Sequence, residues 1–328
     1  MQLVPNFWRG RTAMVTGATG FLGGWIVKWL LDNGAHVVAP VRNPKKPSQF
    51  VNAGLIARCD APVGSLYDPA FVKGLFDRST FDAVFHTAAV ADVRVALQDP
   101  IECFRSAIDS TVLILEQVRT RSPQTAVVVS SSDKAYGPQA VPYLESSGLK
   151  PNHPYEVAKA AQDMIAQSYG RVMGLRSCVT RCANYFGGWE LNLTRIVPDA
   201  ILCALDNRRL TLRSDGKFTR DFLYIDDGVA VQFGLAERLI EKSDIKGEAF
   251  NFSYEVEIDI LALVAKIYAL VGANPGIDVV STAQAEIRHM RTDTQKARTM
   301  LGWKPAFDLD SGLAKTIEWC RQNRDSLR

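Results

Sequence analysis

Short apolar runs alternate with helical apolar spacing along the first half of the chain. Thr12–Thr16, His36–Val41, Phe81–His86, Thr125–Ser131 and Leu175–Arg181 read as strands. Between them, Phe21–Asn33 has the spacing of a helix, with Gly34 as its stop. Asp68–Asp77 reads as a short helix, with Asp68 able to cap it and Pro69 suited to its first turn. Pro100–Arg121 and Pro154–Met173 read as long helices. Strands that are apolar throughout, each followed by a helix, imply a parallel sheet covered on both faces. The expected class is α/β, a Rossmann-type doubly wound parallel sheet. The alternation weakens after Asn184. Gly187, Gly188 and Trp189 read as loop, Ile196–Leu205 as a helix, Glu248–Phe252 as a strand, and Ile258–Val271 and Ser311–Gln322 as helices. The expected division is 1–184 and 185–328. The second span forms a smaller, mixed α/β domain and crosses back to the first domain within its length.

Composition narrows the classes. Of 328 residues, 47% are apolar and 22% charged, ordinary for a globular protein with a substantial core. A net charge of +3 gives no electrostatic case for nucleic acid or a membrane surface. Cys59, Cys103, Cys178, Cys182, Cys203 and Cys320 form no Cys-x-x-Cys pair, and the four histidines are dispersed, so no metal site is expected. Scattered thiols and the absence of signal-peptide features lead us to expect a cytoplasmic protein. No uncharged apolar stretch of about 18 residues exists to span a membrane.

Two features carry chemistry. Gly17-Ala-Thr-Gly20-Phe-Leu-Gly23 lies between the first strand and the first helix. Glycines there permit a tight turn, approach of backbone to a pyrophosphate, and close helix–strand packing, while the helix N-terminus favours phosphate. A dinucleotide is therefore expected on the first domain. The second strand ends Ala39-Pro40-Val41-Arg42-Asn43. It lacks the acid that commonly holds an NAD ribose, and Arg42 suits a 2′-phosphate, so the cofactor is NAD or NADP. Tyr155 and Lys159 lie four apart, on one face of a helix. A neighbouring ammonium favours a phenolate, which can exchange a proton with a sugar hydroxyl while a nicotinamide exchanges hydride. Ser130-Ser-Ser-Asp-Lys134 follows the most apolar strand of the first half, at the strand end where such sheets bind ligands.

Together these motifs resemble the extended short-chain dehydrogenase/reductase family. Its nucleotide-sugar epimerase and dehydratase branch is matched further by His86-Thr-Ala-Ala89, Arg181-Cys-Ala-Asn-Tyr-Phe-Gly187, Arg220–Asp227 and Leu301-Gly-Trp-Lys-Pro305. The resemblance implies that Gly17, Thr19, Gly20, Phe21, Leu22, Gly23, Arg42 and Ala88 hold the cofactor, with Tyr155 and Lys159. It implies that Ser132 binds the hydroxyl being oxidised and that Tyr155 is its base. Asn184, Arg195, Arg220 and Arg291, with Arg288 as a further candidate, would hold the nucleotide diphosphate, since guanidinium forks suit it. The resemblance also implies a homodimer formed through the two long helices.

Within the branch, Asp133-Lys134 and Phe7-Trp-Arg-Gly10 resemble CDP-glucose 4,6-dehydratases. The implied reaction oxidises carbon 4, eliminates water across carbons 5 and 6, and returns hydride to carbon 6. Lys134 would serve as base and Asp133 as acid. Ala18, Leu22 and Thr219–Tyr224 depart from that subfamily, and the last has the form common in epimerases. An NDP-sugar epimerase of the 4-epimerase or CDP-sugar 2-epimerase type is therefore the alternative. An NADP-dependent carbonyl reductase is the second, and a non-catalytic dinucleotide sensor the third. The expected partner is a nucleotide-diphosphate sugar, CDP-hexose favoured.

Overall fold

A computed structural model describes residues 3–281 and 287–327. The first half holds β1 (Thr12–Thr16), α1 (Phe21–Asp32), β2 (His36–Val38), α2 (Gln49–Asn52), α3 (Pro69–Arg78) and β3 (Ala83–His86). It continues with α4 (Val93–Gln98), α5 (Pro100–Phe104), α6 (Ser110–Arg121), β4 (Ala126–Ser130), α7 (Pro154–Arg171) and β5 (Ser177–Cys182). Then come β6 (Asn184–Phe186), α8 (Ile196–Leu205), β7 (Leu210–Leu212), β8 (Thr219–Arg220), β9 (Phe222–Tyr224) and α9 (Ile225–Glu241). β10 (Ala249–Phe252), β11 (Ile258–Asp259), α10 (Ile260–Val271), β12 (Ile277–Val279), α11 (Gln295–Leu301) and α12 (Leu309–Gln322) complete the chain.

The chain forms two compact units. One comprises residues up to Gly137, Gly148–Arg181 and Val229–Phe250; the other comprises Pro138–Ser147, Cys182–Gly228 and the chain from Asn251 onward. The central sheet runs β10-β5-β4-β3-β1-β2, and the β1–β2, β1–β3, β3–β4 and β4–β5 pairs are parallel. Alternation along its strands feeds two cores. Met14, Val84, Val127, Val129 and Val179 pack with Val72 and Phe76 of α3, Ile114 and Val118 of α6, and Ala166 of α7. Phe85, one residue from Val84, points the other way, with its ring 5.0 Å from Phe233 of α9 and 5.5 Å from Trp8. Trp29 of α1 stacks on Phe233 at 3.9 Å. Both faces are thus covered, as the apolar strands require. The strand order reverses between β2-β1 and β3, which places the glycine turn at the switch point.

The N-terminal Trp8 is 1% exposed, and its indole donates to Glu237 of α9 at 2.8 Å. Arg181 makes a fork–fork pair with Asp163 of α7 at 2.7 and 3.0 Å and donates to the Tyr136 hydroxyl at 2.9 Å. These two charges are 4% and 0% exposed.

The structure differs from the sequence expectations in four places. α9 is absent from the sequence reading; its polar Gln232 and Glu237 are buried with the rest of Val231–Glu237, the first donating to Thr180 and the second accepting from Trp8, so polar positions do not mark its outer face alone. Ile258 and Asp259 form an antiparallel edge with β8, and Asp259 caps the helix that begins only at Ile260. β2 stops at Val38, and beyond it Val41 bridges Val63. Pro100–Arg121 is helical throughout but contains a π turn at Arg105–Asp109. There Ser110 and Thr111 donate their hydroxyls to the carbonyls of Ser106 and Ala107, at 2.6 and 2.5 Å.

Arg181→Met would strand the Asp163 carboxylate in the core. We expect it to cost about 3–5 kcal/mol in urea unfolding followed by circular dichroism, and Asp163→Leu in the same chain to recover most of it. If the single and double variants are equally destabilised, the pair is not what holds α7 to β5.

Candidate active site

Parallel register brings the C-terminal ends of β1, β3 and β4 to one edge. Thr16 lies opposite His86, and His86 opposite Val129, next to Ser130. The glycine turn follows Thr16. Gly17 has φ +71°, and a Cβ on it would lie 2.7 Å from Thr87 Oγ1 and 2.9 Å from the Ala88 nitrogen. A Cβ on Gly23 would lie 2.2 Å from the Gly17 carbonyl oxygen. These two positions therefore require glycine. Gly20 is the exposed N-cap of α1, and no side chain caps the helix. Thr19 and Phe21 are half-buried beside it, and Leu22 is buried. An uncapped helix start behind a glycine cradle is the arrangement a dinucleotide pyrophosphate fits.

Two buried polar groups of the first unit lack partners among the described residues. Gln49 of α2 is 3% exposed, and neither amide atom has a hydrogen-bond partner among the described residues. A Cβ on Gly24 of α1 would lie 3.0 Å from its Oε1. Ser65, just beyond the Val41–Val63 bridge, likewise has a buried hydroxyl without a partner among the described residues. Orphaned polar groups are costly unless something satisfies them, and a dinucleotide's polar atoms are suited to that. Among the described residues no cluster of metal-ligating side chains is present.

Ser132 ends the segment after β4 and caps a 3₁₀ turn, Asp133–Tyr136, by accepting from the Lys134 N–H at 3.2 Å. Its hydroxyl donates to Asp133 Oδ1 at 3.0 Å, and Asp133 is 2% exposed. Tyr155 and Lys159 sit in the first turns of α7, which begins at Pro154 with a capping box formed by His153 and Glu156. They are 8% and 5% exposed. The Lys159 ammonium donates to the Ser130 carbonyl at 2.6 Å and to Gln162 Oε1 at 2.9 Å. Burial holds its pKa down at about 8, against the opposing charges of Cys103 and Asp163.

Hydrogen-bond directions extend this contact into a chain. Gln162 Oε1 accepts from Lys159, so its Nε2 donates to Thr111 Oγ1 at 3.0 Å. Thr111 and Ser110 spend their own protons on carbonyls, so both oxygens accept from His86 Nε2, at 3.0 and 3.3 Å. The His86 proton is therefore on Nε2, and Nδ1 accepts from the Thr16 hydroxyl at 2.8 Å. Thr16 Oγ1 in turn accepts from the Ala88 N–H at 3.2 Å. Burial, reinforced by the Lys159 charge, pushes His86 down to about 3, so its ring is neutral. An uncharged chain thus links the lysine to the wall of the glycine turn.

Sequence reasoning missed most of this chain. Gln162 was detectable, three residues from Lys159 on one helix. Thr111 had no local signal, and the motif that begins at His86 did not show its contacts, because parallel pairing and the π turn bring these residues in.

In the second unit, Asn184 donates its amide to the Asp221 carbonyl at 3.1 Å. Arg220 is 7% exposed, with one nitrogen 2.9 Å from the Thr219 carbonyl. Arg220 and Arg288 lie over the Phe218 ring at 5.6 and 5.4 Å, and Arg288 pairs with Asp215 at 3.1 Å. Arg291 is half-buried, and its carbonyl accepts from the Tyr143 N–H at 2.8 Å. Arg195 stands at the N-cap of α8, beside Glu190. The structure groups Arg220 with Arg288 and sets Arg195 on another element.

A parallel sheet with a glycine cradle at its switch point and a buried Tyr–Lys pair defines an extended short-chain dehydrogenase/reductase. The chain belongs to the NAD dependent epimerase/dehydratase family, whose model matches residues 13–251. It is 30% identical over 319 residues to a dTDP-glucose 4,6-dehydratase of Streptomyces antibioticus, covering 95% of this chain and 92% of that one. It is 26% identical over 330 residues to a CDP-glucose 4,6-dehydratase of Salmonella typhimurium, covering 96% and 91%. A UDP-glucose 4-epimerase of Thermotoga maritima, solved with UDP-glucose, shares the fold with TM-score 0.87 and 24% identity over 95% of this chain and 99% of that one. The cofactor is a nicotinamide dinucleotide, NAD or NADP. Among the described residues no helix is long and apolar enough to cross a membrane.

The Lys159 proton gives a stability test. The unfolded chain keeps this proton up to the ordinary value of 10.5, while the folded chain releases it near 8. Between those values the unfolded state binds more protons, so stability rises with pH. Relative to Lys159→Met, the wild type should gain on the order of 3 kcal/mol across this window in denaturant titrations. Parallel pH curves for the two proteins would contradict the assignment.

Proposed function

We propose that this chain is a nucleotide-sugar 4,6-dehydratase. The observation that carries the reading is the sequence of groups after β4: a hydroxyl at Ser132, a carboxyl in contact with it at Asp133, and an amine at Lys134. An elimination needs one acid and one base beside the oxidised carbon; a simple 4-epimerisation needs neither. The relatives named as dTDP- and CDP-glucose 4,6-dehydratases align along nearly the whole chain, which supports the same reading.

In this scheme Gly17, Thr19, Gly20, Phe21, Leu22, Gly23 and Ala88 cradle the dinucleotide, which supplies a hydride acceptor restored in each turnover. Ser132 binds the hydroxyl on sugar carbon 4, and Tyr155 Oη takes its proton. The Lys159 ammonium, held by Ser130 and Gln162, favours the phenolate. Lys134 Nζ takes the proton from carbon 5, and Asp133 protonates the hydroxyl leaving carbon 6. Arg220, with Asn184, Arg195, Arg288 and Arg291, holds the nucleotide diphosphate. Among hexose donors we favour CDP-glucose, on Asp133-Lys134 and the Phe7–Gly10 segment. A homodimer is part of the proposal. Leu97 of α4, Ile101 of α5 and Met164 of α7 are 60%, 71% and 60% exposed, an apolar set a second copy would cover.

CDP-, dTDP- and UDP-glucose incubated with the protein, without added cofactor, should yield from one of them a product lighter by one water in mass spectrometry. A product of unchanged mass with altered stereochemistry would instead establish the epimerase. Asp133→Asn should slow water loss by about 10²–10⁴-fold. Tyr155→Phe with turnover intact on every sugar nucleotide would remove the scheme.

A further inference from the structure

The end of β2 lacks a carboxylate in its own sequence, Ala39-Pro40-Val41-Arg42, yet the fold brings one there. Glu102 lies in the first turn of α5, its backbone N–H bonded to Asp99 Oδ1 at 2.9 Å. One of its carboxylate oxygens pairs with the Arg42 guanidinium. The other accepts the Tyr67 hydroxyl at 2.9 Å. The Arg105 guanidinium lies over the Tyr67 ring at 4.5 Å, which steadies the ring. Arg42 is therefore already neutralised, and the carboxylate that neutralises it is anchored at both oxygens. Ser65, whose buried hydroxyl has no partner among the described residues, is two residues from Tyr67.

We propose that Glu102 makes this chain select NAD over NADP. The proposal rests on the glycine turn being the dinucleotide site. A ribose 2′-hydroxyl can donate to a carboxylate, which is the role of the acid at the end of the second strand in NAD sites. A 2′-phosphate at the same place meets a like charge and finds its natural cation, Arg42, engaged. The residue that favours NADP by its position in the sequence is thus disarmed by one 60 positions later.

The purified protein, incubated with equal excesses of NAD and NADP, is to be examined by native mass spectrometry, which resolves the additional phosphate. Wild type should carry NAD almost exclusively. Glu102→Gln keeps the shape, removes the charge and frees Arg42; its ratio of bound NADP to NAD should rise about tenfold or more. Arg42→Ala added to Glu102→Gln should abolish that gain while NAD stays bound. A wild type loaded mainly with NADP, or a Glu102→Gln ratio within about twofold of wild type, overturns the proposal. A wild type that binds neither dinucleotide overturns the reading of the glycine turn along with it.

Discussion

The burial of the Lys159 ammonium is the constraint around which the first unit is organised. A charge almost removed from water must be met by acceptors at fixed places, and the fold supplies the end of β4 and the side chain of Gln162. Each further bond follows from the previous one, because an amide that accepts at one end donates at the other. The sequence ends at the peptide of Ala88, against which Gly17 packs. The proton-handling pair and the cofactor cradle therefore share one hydrogen-bonded frame. A neutral His86 is part of it: a second cation there would add a like charge to one already held at the cost of desolvation.

The layering of the sheet serves the same end. Parallel strands deliver their C-termini to one edge, so Thr16, His86 and Ser130 meet there although some 114 positions separate the first from the last. The two cores on either side of the sheet, one mainly aliphatic and one built on Trp8, Trp29 and Phe233, hold that edge without contributing any reactive group.

Much of this architecture was legible in the sequence, for physical reasons that also mark where it was not. β3 and β4 are largely apolar because both their faces are covered, and the Gly17–Gly23 spacing reports a backbone approach that a side chain would block. α9 was missed in part because its polar Gln232 and Glu237 point inward, to Thr180 and Trp8. Arg42 read as a free cation because its partner lies on another element, and Gln162, Thr111 and His86 gain meaning only when α7, α6 and β3 are brought together. Tyr155 and Lys159 stood out by their local spacing; Asn184, Arg220 and Arg288 could be named only by resemblance, because they are far apart in the chain and the sequence pattern does not encode the loops between them.

The π turn at Arg105–Asp109 sets the rotational phase of the long helix. A regular helix advances about 100° per residue, and one wide turn delays everything after it by roughly that angle. Upstream of the turn Glu102 faces Arg42; downstream Thr111 faces His86. Deleting one residue between 105 and 109 would restore even winding, yet it would turn one of these groups away from its partner. The length of this segment is thereby fixed by two contacts that it does not itself make, and homologous chains that keep both partners are held to the same count.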